Sequence, residues 1–422
     1  MAASDISLLG GWLPVAMELA AATALAVAVG WRDRSWRTRK MPAIAGAAAL
    51  IALFTAKVGA PMALIDPLPL DVWVWFGLMA GALLILVFGW RKAHWWRRLS
   101  AVLAFALALL NCANGLNQFV GYYPTVGAAI ADLEKRPQPG QMSLSQLHAS
   151  TGDGAEARQT GALVAVDIPS TTAGFTPRQE LVYLPPAWFL GPQRPVLPAL
   201  EMIGAEVAAA GDWVRLGDAV RTSDAYAAGH GGQAPILVFV DATGSFHNDT
   251  ECVNGPHGNA EDYLVKDVPP FITATFGASR DPRRWGVVGW SMGGTCAIGL
   301  TVEHPSTFGH FVDISGDLGP NTGNKAQTIA NLYGGSVAAW DAHDPSTVMA
   351  RHGRYTGISG RFVDGNQEHT QIEAARQLAN AAQKVDISAQ VVVLPGQHVW
   401  QFAATAFADT LPWLCGELGL SA

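Results

Sequence analysis

Gly286-Val287-Val288-Gly289-Trp290-Ser291-Met292-Gly293-Gly294 reads as a short apolar strand running into a Gly-X-Ser-X-Gly turn. The small-residue stretch 295–304 behind it reads as a helix. A serine set between two glycines at a strand-to-helix turn is a nucleophile elbow. The turn is tight and strained, so only small residues fit on either side. It lifts the hydroxyl above the sheet, at a helix N-terminus that favours negative charge. The pentapeptide alone occurs by chance; the strand before it and the helix after it carry the reading.

A serine at neutral pH is a poor nucleophile, so it needs a general base, and the base needs an acid to orient it. The elbow resembles that of the α/β-hydrolases, in which the chain order is Ser, then Asp or Glu, then His. His398 is the expected base, because Val391-Val392-Val393-Leu394 reads as a late strand and Pro395-Gly396-Gln397-His398 as the loop after it. His304, His310, His343, His352 and His369 follow no late strand so cleanly. Two acids fit the end of the preceding strand: Asp364, and Glu368 four residues on. Glu368 is favoured because Gly365-Asn366-Gln367-Glu368 resembles the usual Gly-X-X-Asp/Glu of this loop. The oxyanion of an acyl transfer needs two N–H donors. Met292 is expected to supply one, and Ala205 or Gly204, after the strand 196–203, the other.

Strand-like runs at 162–168, 180–184, 196–203, 236–240, 285–289, 310–314, 357–363 and 389–394 alternate with helical or irregular stretches. Helices are expected at 260–276, 295–304, 368–384 and 399–415. Such alternation predicts an α/β fold, a mostly parallel sheet with helices on both faces. The catalytic domain is expected over 161–422.

The first 120 residues are of another kind. The composition is 50% apolar and only 14% charged over 422 residues, and the mean hydropathy is +0.20. The apolar excess lies in runs at about 12–31, 41–60, 72–90 and 99–120, each the length of a membrane-spanning helix. A cleaved signal peptide does not account for them, since they follow one another and the first has no basic leader. An all-α four-helix transmembrane anchor is therefore expected, with 121–160 as an extracytoplasmic linker. Arg32, Arg34, Arg37, Arg39 and Lys40 lie between the first two runs, and Arg91, Lys92, Arg97 and Arg98 between the last two. The loop 61–71 has Asp66 and Asp71 and no basic residue. The positive-inside rule places both basic loops in the cytoplasm, and the N-terminus and catalytic domain outside. Trp12, Trp31, Trp73, Trp75, Trp90, Trp95 and Trp96 sit near the expected interfaces. Glu18 and Lys57 fall at similar depth, as an ion pair or as two snorkelling side chains. Asn111, Asn114 and Asn117 recur on one face of the last run and suit bonds to neighbouring helices.

The net charge of −7, with a basic membrane part, leaves the outer part acidic; no basic stripe suggests nucleic-acid binding. His247, Asp249, Glu251, Cys252 and His257 cluster in one segment, but their spacing matches no zinc pattern. They read as a polar wall beside the active site, and no metal or cofactor is expected. Of four cysteines, Cys112 falls in the last apolar run. In this fold the elements carrying Cys252 and Cys296 are adjacent, so a disulfide between them is expected, leaving Cys415 unpaired.

Val182-Tyr183-Leu184-Pro185-Pro186-Ala187, Asp249-Thr250-Glu251-Cys252, the run from Gly289 to Ala297 and Gly396-Gln397-His398 resemble the esterase D/mycolyltransferase branch of the α/β-hydrolases. The likeness is greatest to membrane-anchored actinobacterial esterases and covers about 160–415. Secreted relatives transfer mycolyl groups between trehalose esters and the cell wall with a Ser–Glu–His set, which implies Glu368 rather than Asp364. The loop Met202-Ile203-Gly204-Ala205 departs from the more Gly/Pro-rich family form. The resemblance implies a serine esterase or acyltransferase that takes a lipid or glycolipid ester. The anchor points the same way, since a soluble substrate needs no membrane tether. The rival class is a non-catalytic binding protein of the cell envelope.

Overall fold

The computed structural model describes residues 6–30, 32–59, 68–134, 136–150, 158–190 and 194–420. The chain divides into two compact units, Met1–Arg136 and Pro137–Ala422. The division falls inside the stretch read as a linker, and that stretch carries structure: helices Val126–Leu133 and Leu144–Ser150 and the strand Gln141–Ser143. Thr125 caps the first helix, its hydroxyl accepting the N–H of Ala128 at 3.1 Å. Residues 151–157, part of the small polar run, lie outside the described residues.

Besides the helix Val126–Leu133, the described residues of the first unit hold the long helices α1 (Trp12–Val29), α2 (Met41–Phe54), α3 (Leu70–Gly89) and α4 (Trp95–Val120). Helical turns extend α2 at both ends, so its apolar span is Trp36–Val58. All four are long and apolar enough to cross a membrane. Leu19, Leu50, Phe54, Val87, Phe88 and Leu110 stand exposed on their outer faces, which suits lipid rather than water. The second and fourth of these helical segments begin earlier than the apolar runs, so Arg37, Arg39, Lys40, Arg97 and Arg98 ride on helical turns. Lys and Arg are good helix formers, and a charged end need not leave the helix to reach water. Trp31, Ala60 and the loop residues 61–67, Asp66 among them, lie outside the described residues.

α1 packs against α4, and α2 against α3. Small residues let the backbones approach, as where Gly81 lies opposite Ala48. Asn111 donates to the carbonyl of Met17 on α1 at 3.2 Å, and Asn114 to that of Leu8 at 3.1 Å. Asn117 instead closes its own helix end, donating to the Tyr123 carbonyl at 2.9 Å. Among the described ion pairs none joins Glu18 to Lys57, and both side chains are exposed.

The second unit is built on a nine-stranded sheet of order β1-β2-β3-β5-β4-β8-β9-β10-β11. The strands are β1 (Gln141–Ser143), β2 (Ala162–Val166), β3 (Glu180–Leu184), β4 (Ala199–Ile203), β5 (Ile236–Val240), β8 (Trp285–Trp290), β9 (His310–Ile314), β10 (Ser359–Gly365) and β11 (Ser388–Leu394). The short β6 (Asn254–Gly255) and β7 (Gly258–Asn259) form a separate hairpin. β3 runs antiparallel to both β2 and β5, and the other pairings are parallel. β3, β4, β5, β8 and β9 are buried along their whole length, as expected of strands covered on both faces. β4 starts three residues later than the apolar run, because Pro198 has no N–H to give a ladder. Prolines also break the helix expected at 260–276, where Ala260–Asp262, a wider turn Tyr263–Asp267 and Val268–Phe276 follow one another. Helices Lys325–Tyr333, Val337–His343 and Pro345–His352 fill a stretch the apolar pattern left unassigned.

Two carboxyls are buried in this sheet. Burial pushes Glu180 up to about 8, against hydrogen bonds from the Tyr263 hydroxyl and the Asp241 N–H. Glu201 is fully buried, neither of its oxygens has a partner, and burial followed by the charge of Glu180 raises it well above the carboxylate range. An acid that stays protonated when folded but ionises when unfolded makes stability fall as pH rises. The slope is about 1.4 kcal/mol per pH unit above an unfolded value near 4.3. Glu201→Gln removes one such proton. Urea unfolding of the variant should therefore decline less steeply than wild type between pH 5 and 7, and equal slopes would mean that Glu201 is ionised in the folded chain.

Candidate active site

Parallel register brings several strand ends to one edge of the sheet. Ile203 lies opposite Gly289, Trp290 opposite Ile314, Ile314 opposite Val363, and Gly365 opposite Leu394. The residues that follow these ends are Gly204, Ser291, Ser315, the turn to Glu368 and the loop to His398.

Ser291 sits between β8 and helix α5 (Met292–Glu303), with φ 59° and ψ −121°. Its strained backbone is held by its N–H on the Ile314 carbonyl at 2.9 Å and by its carbonyl, which accepts from Gly294 at 2.8 Å. The two glycines of the motif have measurable reasons. A Cβ on Gly289 would lie 1.7 Å from the Gly293 carbonyl oxygen, and one on Gly293 would lie 2.3 Å from that of Ile203. Neither position can take a side chain without moving backbone.

The Ser291 hydroxyl donates to His398 Nε2 at 2.9 Å, and His398 Nδ1 donates to Glu368 Oε1 at 2.7 Å. Glu368 is 4% exposed, and its other oxygen accepts from the Ser315 hydroxyl at 2.9 Å and the Gly365 N–H at 2.5 Å. It occupies the N-cap position of α6 (His369–Lys384), without capping it. The loops meet because Gly365 and Gly396 have no Cβ: one on Gly365 would fall 2.7 Å from the Gly396 carbonyl. Asp364, the other acid, lies inside β10 opposite Val393. It is 1% exposed, and burial, reinforced by the charge of Glu368, pushes it up to about 7. The structure therefore brings Ser291, His398 and Glu368 into one hydrogen-bonded chain and leaves Asp364 out of it. In that order of contacts an imidazole can take the hydroxyl proton while a carboxylate holds the ring.

As the first residue of α5, Met292 has an N–H with no intrahelical acceptor. Gly204 and Ala205 come off β4 beside it, since the Ile203 and Gly204 carbonyls back onto Gly293. The other wall is aromatic. Trp290 lies 5.3 Å from the His398 ring and 4.3 Å from Trp400, which meets Trp213 edge-on at 5.4 Å. Trp400 begins α7 (Trp400–Glu417).

Cys252 and Cys296 form a disulfide that ties the turn Asp249–Cys252 to α5, five residues past Ser291. Cys112 and Cys415 are free and buried. Burial, then the nearby Glu206, pushes Asp249 up to about 7, and Glu251 is raised by burial, then by Asp249 and Asp317. These carboxyls make the segment an acidic wall. His247 is exposed against Phe246, and His257 bonds Asn248 at 2.9 Å. Among the described residues neither joins a metal-capable group.

The esterase family model matches residues 176–414, a span that includes Ser291, Glu368 and His398. The chain belongs to the esterase family. An uncharacterised protein of Corynebacterium glutamicum is 32% identical over 368 residues, 84% of each chain. Among solved structures, a ferulic acid esterase superposes with a TM-score of 0.51 at 17% identity, over 62% of this chain and 99% of its own. An S-formylglutathione hydrolase from Agrobacterium tumefaciens does so at 0.51 and 16%, over 63% and 98%. At that identity the likeness speaks for the fold, an α/β-hydrolase. As an esterase-family member with this fold, the chain is a serine hydrolase of the carboxylic-ester hydrolase or acyltransferase type.

Sequence reasoning missed Ser315 and the tryptophan wall. Ser315 had a usable signal: a polar Ser-Gly-Asp directly after the apolar strand β9, at the same edge as the elbow. Trp213, Trp290 and Trp400 had none, because only the fold joins them.

Proposed function

We propose that the protein is a membrane-anchored serine esterase or acyltransferase acting on acyl esters of cell-envelope lipids or glycolipids. Ser291 attacks the ester carbonyl while His398 takes its proton, and Glu368 holds the ring and stabilises the imidazolium. The N–H of Met292, with that of Ala205 or Gly204, donates to the oxyanion. The alcohol leaves with the proton from His398, and the acyl-serine passes its acyl group to water or to a sugar hydroxyl. The hydrogen-bonded chain from Ser291 through His398 to Glu368 carries this reading. The four apolar helices support anchoring, and the basic turns on the second and fourth spans support a catalytic unit on the outer face of the membrane. A hydrolase tethered beside lipid meets a lipid ester at high local concentration, which favours an envelope substrate; the resemblance to the mycolyltransferase branch supports the mycolate-related class.

A fluorophosphonate probe applied to the full chain in membranes tests the chemistry. Wild type should be labelled on Ser291 and Ser291→Ala should not; equal labelling would overturn the reading. Lipidomics of a Ser291→Ala strain then identifies the substrate as the acylated envelope species that accumulates, and an unchanged lipid profile would count against an envelope ester.

A further inference from the structure

We propose that Glu261, Glu303, His304 and His343 form a structural binding site for one divalent transition-metal ion of the zinc class. The inference is independent of the proposed esterase function. The four side chains come from three elements: the short helix Ala260–Asp262, the C-terminal end of α5, and the helix Val337–His343. Glu261 Oε1 lies 2.9 Å from His304 Nε2, and its Oε2 lies 3.1 Å from His343 Nε2. Glu303 Oε2 is 3.9 Å from His343 Nε2. Ligand atoms of Glu261, Glu303 and His304 all fall within 4.8 Å of one another. Tetrahedral zinc with bonds of about 2.0–2.2 Å sets neighbouring ligand atoms about 3.4 Å apart. The separations of 2.9, 3.1 and 3.9 Å bracket that spacing.

The tautomer of His343 points the same way. Its Nδ1 lies 2.8 Å from the Ala339 carbonyl oxygen, which can only accept, so Nδ1 carries the hydrogen. In a neutral ring, Nε2 then turns a lone pair towards a carboxylate oxygen. A cation must lie between them, either a proton or a metal. Metal-ligating histidines almost always donate their far N–H to a carboxylate, a backbone carbonyl or water, and His343 has the second of these. Two carboxylates and two neutral imidazoles balance the charge of a divalent ion. Imidazole ligands favour zinc and its neighbours over calcium or magnesium, which prefer all-oxygen sets. Four protein ligands close the coordination sphere, as in structural sites. Glu303 is also about 18 Å along α5 from Ser291, too far for the metal to touch the reacting atoms. Such an ion would pin the helix Val337–His343 and the segment after the β6–β7 hairpin to the helix that begins at the elbow.

The test uses the tag-free full chain in detergent, treated with chelator and then titrated with Zn²⁺ by calorimetry, with metal content measured after dialysis. Wild type should retain one zinc per chain, and the melting midpoint should rise on zinc addition. His304→Ala and His343→Ala should each weaken binding at least tenfold and abolish the rise. If either alanine variant misfolds, Glu303→Gln keeps the shape and should still weaken zinc. Wild type that binds no zinc, or binding unchanged in the His304→Ala/His343→Ala double variant, would overturn the proposal and leave a proton as the bridging cation. Fluorophosphonate labelling should persist in the metal-free chain whichever way zinc binding falls, which separates this test from that of the esterase reading.

Discussion

Ser291→Ala and His398→Ala should each lower kcat/KM for an activated ester such as p-nitrophenyl butyrate by about 10⁴-fold or more, and the double variant should fall little further. The reason is geometric. His398 Nε2 lies 2.9 Å from the Ser291 hydroxyl, so the imidazole acts only through that oxygen, and the hydroxyl attacks only if its proton can leave. Removing either ends the same step. Residual hydrolysis would then come from binding and from N–H groups aimed at the oxyanion, which all three variants keep. A multiplicative loss in the double variant would show that the two groups act separately, and the proposed relay would be wrong.

The second large effect separates the two acids. Glu368→Gln should lower kcat/KM by about 10³ to 10⁴-fold, the scale seen when the carboxylate behind a catalytic imidazole becomes an amide. The amide would also disturb the bonds from Ser315 and Gly365 that hold the carboxylate in place. Asp364→Asn should cost less than about tenfold. Burial already pushes Asp364 up to about 7, so near neutrality it is about half protonated and the amide replaces a group that is already partly uncharged. Steady-state kinetics on both variants near pH 7 decides between them, and a larger loss from Asp364→Asn would reverse the assignment.

The two acids also mark what local sequence could resolve. A strand end followed by Gly-Asn-Gln-Glu located the acid to within a few residues, because turn chemistry is local. Which carboxyl reaches the imidazole depends on the approach of the Gly365 and Gly396 backbones across two loops, and no single segment encodes that. The ion pair imagined between Glu18 and Lys57 failed for the same reason. Depth in a membrane can be read from sequence, whereas whether two side chains at one depth meet is settled by how the helices pack. The three helices between 325 and 352 escaped notice because their apolar positions are few and their caps, Asn324, Ser336 and Asp344, are short-range signals among many polar residues.

By itself the sequence determined whatever depends on neighbours along the chain. The elbow follows from glycines two residues either side of a serine, the four long apolar helices from long apolar runs, and the sheet from buried strands of branched and aromatic residues. Only the tertiary structure decided what depends on distant segments meeting. It selects Glu368 over Asp364, adds Ser315 behind it, assembles Trp213, Trp290 and Trp400 into one wall, and sets Glu261 between His304 and His343 with Glu303 beside them. Parallel strands register their ends at a common edge while the residues of the catalytic chain lie 30 and 107 positions apart in sequence, so these contacts exist only once the sheet has formed.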